Sequence, residues 1–102
     1  EVFGLEVGRR GVAGAEFAEL NPELAEYFRG AREGVLVLRV APETPAARAG
    51  LESGDVVVRA NGEPVRTIAE LRRAITRAEH GEVRLDVVRR GAQREVRLRW
   101  ER

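Results

Sequence analysis

TPAARAGLESGDVVVRANGEPV, running from Thr44 to Val65, packs two tight turns, a one-turn helix and a short strand into one continuous stretch. Thr44 is a helix N-cap, because its hydroxyl can accept from an orphan N–H of the first turn. Pro45 suits the first helical position, where no N–H is required. Ala46, Ala47 and Ala49 continue the turn, Gly50 supplies the left-handed residue that ends it, and Leu51 folds back as in a Schellman ending. So short a helix is unstable alone, so packing must hold it. Gly54-Asp55 then turns the chain into a strand, DVVVRA, and Asn61-Gly62 is a strong tight-turn signal. The stretch encodes a stiff frame at the edge of a core.

Downstream, Thr67 and Glu70 form a capping box that opens the longest helix, Ile68 to about Glu79. Val83, Leu85 and Val87 alternate inward, as do Val96, Leu98 and Trp100, which predicts a closing hairpin across Arg90-Gly91-Ala92. Upstream, GVLVLRV (Gly34 to Val40) is almost continuously apolar and reads as a buried central strand. Asn21 caps a short helix with Pro22 first, Glu23 in its first turn, and an apolar face of Leu24, Ala25, Tyr27 and Phe28; GAREG ends it. A weak period-two pattern predicts a strand from Ala13 to Leu20, preceded by a turn at Gly8–Gly11 and a short strand at Val2–Val7. This order predicts an α+β, mainly β fold. Five or six short strands form a partly open barrel or sandwich, capped by one long helix and one or two short ones.

A chain of 102 residues supports one domain with one core. It contains no Met, and is read as a domain cut from a larger protein. Apolar residues make up 43% and charged residues 34%, which excludes a disordered tail. No apolar run approaches the roughly 20 residues needed to span a bilayer, so no direct membrane insertion is predicted. The 18 basic and 17 acidic residues are interleaved, with a net charge of +1, which leaves no one-sided basic face for nucleic acid. All the basic residues are Arg, a fact with no functional account. Without Cys there is neither disulfide nor thiolate metal site, and no metal or cofactor is predicted.

Catalytic chemistry finds little to use. His80 is the one His, beside Gly81 at a helix end, and reads as a dipole contact. Ser53 is the one Ser, in a turn, with no base near it in sequence. Asp55 and Asp86 are the only aspartates, and Asp55 reads as a turn cap rather than half of a carboxylate pair. GRRGVAG lacks the strand-then-helix setting of a nucleotide loop. The arginines of RRGAQREVRLRWER alternate with apolar positions and read as a solvated strand face, with Trp100 in the core. No catalytic residue is predicted.

GVLVLRVAPETPAARAGLESGDVVVRANGEPV resembles the PDZ signature of bacterial proteases. That signature has an apolar strand, a Ser/Thr-Pro-Ala-Ala turn, Ala-Gly-Leu, then Gly-Asp-Val and Asn-Gly. LNPELAEYF is similar to the equivalent region of HtrA-type serine proteases, and the likeness covers nearly the whole chain. The resemblance implies a groove between one strand and the long helix, where a partner's extended C-terminus adds a strand to the sheet. It also implies a loop of backbone N–H groups for the terminal carboxylate.

Two segments fit that loop. The spacing from Gly14 to Asn21 matches HtrA-type domains and favours Val12, Ala13, Gly14 and Ala15; Phe3-Gly4-Leu5 is the alternative. The implied groove residues are Glu16, Phe17 and Ala18 on the strand and Ile68, Arg72 and Ile75 on the helix. Ala13 and Ala15 stand where relatives carry larger side chains, and each missing CH₂ forgoes about 0.8 kcal/mol of burial. Ile68 stands where a His would read a ligand hydroxyl, and implies an apolar ligand residue there.

The implied role is capture of peptide or protein C-termini, or extended segments, for an attached protease domain. The resemblance further implies an extracytoplasmic setting, with oligomers arising through the parent protein. The alternative is an assembly domain whose groove holds its own chain or a sister subunit, which the alanine-lined pocket favours.

Overall fold

The turns predicted between Thr44 and Val65 all form. In the computed structural model, which describes residues 11–27, 31, 33–78 and 80–100, Thr44 Oγ1 accepts from the Ala47 N–H at 3.2 Å and donates to Ala41 O at 2.8 Å. Gly50 has φ 90°, and the N–H groups of Gly50 and Leu51 return to Ala47 O and Ala46 O, both at 3.1 Å. That is the Schellman ending, with Leu51 buried beneath it. Asn61 and Gly62, at φ 51° and 85°, make the primed turn whose twist suits a two-residue hairpin.

In chain order the elements are β1 (Gly11–Val12), β2 (Ala15–Glu19), α1 (Pro22–Ala25), β3 (Val35–Val40) and α2 (Pro45–Ala49), then β4 (Val56–Ala60), β5 (Glu63–Pro64), α3 (Ile68–Arg77), β6 (Glu82–Arg89) and β7 (Ala92–Arg99). Seven strands among the described residues form one open antiparallel sheet in the order β1-β2-β3-β4-β6-β7, with β5 hung on β4. Phe17, Val35, Val37, Val57, Leu71, Leu85, Val87 and Leu98 fill the main core. On the opposite pleats of the sheet, Leu36, Val56 and Val88 join Ala31 in a second, smaller cluster.

Several expectations need correction. The second strand begins at Ala15 rather than Ala13, because Ala13 and Gly14 take φ 56° and 91° and turn the chain. Gly11 belongs to β1 rather than to a turn. The predicted strand at Val2–Val7 and the rest of the Gly8–Gly11 turn lie outside the described residues. Helix α1 stops at Ala25, and Tyr27 is 79% exposed instead of adding to an apolar face; Phe28 lies outside the described residues. The strand at Val35–Val40 is buried only in its first half. The β2–β3 register slips beside Glu16 and Phe17, and Leu38 and Arg39 face solvent. Helix α3 ends at Arg77, short of Glu79, and His80 lies exposed in the following turn.

The Gly62–Val65 stretch holds β5, which was not predicted; Pro64 cannot donate to a ladder and is tolerated there because β5 is an edge. The closing hairpin turns on Arg90-Gly91, with Ala92 already paired to Arg89. Arg89 is no solvated strand residue. Its Nε and Nη2 donate to the two carboxylate oxygens of Asp55 at 2.7 and 2.9 Å, and Nη2 also donates to Gly50 O at 2.9 Å. Asp55, fully buried, caps its turn as predicted by accepting from the Glu52 N–H at 2.9 Å. This fork ties β6 to the frame that opens β4.

Candidate functional site

Strand β2 has two edges, and backbone alternation says which groups face each. The Leu20 N–H donates to Gly34 O at 3.2 Å, and Ala41 N–H donates to Gly14 O at 2.9 Å, so even-numbered positions along β2 face β3. Ala15, Phe17 and Glu19 therefore turn their backbone groups to the other edge. There Ala15 is paired with Val12 of β1, while no described residue pairs with Phe17 or Glu19. Helix α3 runs beside this edge. Among the described residues, the result is a short open strand edge facing a helix.

The turn at the head of β2 is rigid. The Ala46 N–H, at the start of α2, donates to Ala13 O at 3.1 Å. In a trans peptide the C=O and the next N–H point opposite ways, so the Gly14 N–H points away from α2. Gly14 rests directly on Thr44: a Cβ built at Gly14 would lie 2.2 Å from Thr44 Cβ. The cap residue of α2 therefore braces this turn.

The helix wall is set by the capping box. Thr67 Oγ1 accepts from the Glu70 N–H at 3.0 Å, and Glu70 Oε1 accepts from the N–H groups of Arg66 and Thr67 at 2.7 and 3.3 Å. The Arg66 N–H holds the Glu70 carboxyl below the usual range, with smaller help from Thr67 and the Arg66 and Arg73 charges. Two bonds cross from this wall to the strand side. Glu19 Oε2 accepts from the Ile68 N–H at 3.1 Å, and Arg72 Nη2 donates to Gly11 O at 3.1 Å.

The sequence-predicted site residues thus gather at one place, but not on one surface. Val12 and Ala15 are buried, with Ala13 and Gly14 half-buried at the turn. Phe17 is buried in the core, whereas Glu16 and Ala18 alternate to the opposite face of the sheet from α3. Ile68 is buried with the core; Arg72 and Ile75 are half-buried beside it. Sequence reasoning missed Glu19, Gly11 and Thr44 as parts of this site. Glu19 and Arg72 act across 49 and 61 residues of chain, and no local spacing signals such contacts. Phe3-Gly4-Leu5 lies outside the described residues.

A family model described as PDZ domain matches residues 36–89. The chain belongs to the PDZ-domain family. Such a domain is a non-catalytic module. The PDZ domain is 36% identical over 101 residues to a probable periplasmic serine protease do/HhoA-like of Haemophilus influenzae, covering 95% of this chain and 22% of that protein. It is 37% identical over 92 residues to the periplasmic serine endoprotease DegP of Escherichia coli, covering 88% and 19%. The chain thus spans about a fifth of the length of these relatives, whose names support an extracytoplasmic setting for it. Among solved structures, the HtrA3 PDZ domain bound to a phage-derived ligand, FGRWV, superposes with a TM-score of 0.77 at 26% identity, covering 88% of this chain and 84% of that one. The HtrA-type protease AlgW with a decapeptide gives 0.70 at 31%, covering 88% and 28%.

Proposed function

We propose that this PDZ domain captures extended peptides by their C-termini, adding them antiparallel to the Phe17–Glu19 edge of β2 for an attached protease. The single observation that carries the reading is that edge: backbone groups of Phe17 and Glu19 turned toward α3, with no described strand upon them. A strand added there antiparallel to β2 runs toward Ala15, so its C-terminus arrives at the Val12–Ala15 turn. The relatives solved with peptides support the same class of ligand.

The test is a library of random peptides with free C-termini, screened against the 102-residue chain. Binders should be recovered, and amidating their C-terminus should weaken binding at least about tenfold, the effect of losing one charge-assisted hydrogen bond. One observation favours the assembly alternative: β1, part of the same chain, already occupies the Ala15–Glu16 section of the edge. Equal binding of free and amidated peptides, or none, would give that alternative the lead.

A further inference from the structure

We propose that Arg72 is a side-chain clamp for the ligand's terminal carboxylate; the inference rests on the groove reading above and adds a residue to it. Arg72 stands between Ile68 and Ile75 on the wall of α3, half-buried, and reaches across to donate from Nη2 to Gly11 O at 3.1 Å. A guanidinium carries five N–H donors, and this bond uses one. No ion pair joins Arg72 to a carboxylate among the described residues. The contrast with Arg89 is direct, since Arg89 enters the fold against Asp55 and Glu52. Glu19, on the strand facing this wall, is engaged by the Ile68 N–H at 3.1 Å. Arg72 therefore brings a positive charge, partly withdrawn from water, to the groove without a counter-charge among the described residues. Such a charge is costly until an anion pairs with it.

Its position selects the anion. Gly11 lies opposite Glu16 in the β1–β2 ladder, beside the place where a strand added along Phe17–Glu19 reaches its C-terminus. The turn's own donors are fewer there than an open loop would offer, because Ala15 already pairs with Val12. The planar fork of Arg72 supplies the missing donors, and its geometry fits both oxygens of a carboxylate.

The experiment compares one library-selected peptide, as free acid and as C-terminal amide, on wild-type chain, Arg72→Gln and Arg72→Lys, with thermal unfolding to establish folding. Arg72→Gln should weaken the free acid by about tenfold and leave the amide within about twofold, so that the acid-over-amide ratio collapses. Arg72→Lys, which keeps the charge but not the fork, should retain an intermediate ratio. An unchanged ratio in Arg72→Gln overturns the clamp while leaving the groove reading intact, and so does equal weakening of acid and amide. If Arg72→Gln does not fold, a ratio in Arg72→Lys as large as wild type's overturns it. A wild-type chain that binds acid and amide alike removes the groove reading and the clamp together.

Discussion

Gly14 occupies a position that no side chain fits. Its φ of 91° is strained for any L-residue, at roughly 1–2 kcal/mol, and an added Cβ would drive into Thr44. Thr44 holds the N-cap of α2, and losing that cap costs about 1 kcal/mol more. Gly14→Val should therefore lower stability by at least about 2 kcal/mol, which for a domain of this size is a fall of about 8–16 °C in Tm. A variant that melts as wild type does would mean that the turn is not braced as described. Asp55 presents the complementary case of a buried side chain with a partner. Asp55→Ala removes the two-pronged partner of the largely buried Arg89, leaving it only the half-exposed Glu52 at 3.3 Å. It should cost about 3 kcal/mol, the low end for breaking a buried pair, read as a lower urea midpoint at unchanged slope. The turn-capping role of Asp55 was legible because the Glu52 N–H lies three residues away; Arg89, 34 residues away, left no trace in local spacing.

Helix α3 carries its own pH dependence through its first turn. The Glu70 carboxylate accepts from the Arg66 and Thr67 N–H groups, and its pKa in the folded chain lies below the unfolded value. A depressed acid contributes stability that is fully present above its unfolded pKa, about 4.3, and lost as pH falls through the lower folded value. The Tm advantage of wild type over Glu70→Gln should therefore shrink between pH 5 and pH 3; a constant or growing difference would contradict the capping geometry. This box, the Thr44 cap with its Gly50 ending, and the Asn61-Gly62 turn were all readable, because each closes within a few residues. Element ends decided by distant partners were not. Ala13 reads as strand by alternation, yet the Ala46 N–H takes its carbonyl and the chain turns. The exposed half of β3 reads as core by composition, yet the register slip against β2 turns Leu38 to solvent.

The fold is a stack of strands with two different ends. At one end β7 pairs over its whole length with β6; at the other, β2 presents Phe17 and Glu19 to the space beside α3. If peptides add to β2, amide hydrogen exchange should report it residue by residue. The N–H groups of Phe17 and Glu19 face the open edge, so peptide should slow their exchange by converting a solvated donor into a ladder bond. Those of Ala18 and Leu20 face β3, with Leu20 already bonded to Gly34 O, and should change little. Val37, whose N–H donates to Asp55 O at 2.8 Å inside the sheet, should be slow with or without peptide. The alternation is the discriminating feature, since general stiffening would slow all four β2 and Leu20 amides together. Protection that appears instead along β7 would place the added strand at the opposite end of the sheet. In that event neither Arg72 nor the Val12–Ala15 turn could touch the ligand's end, because both lie beside β2.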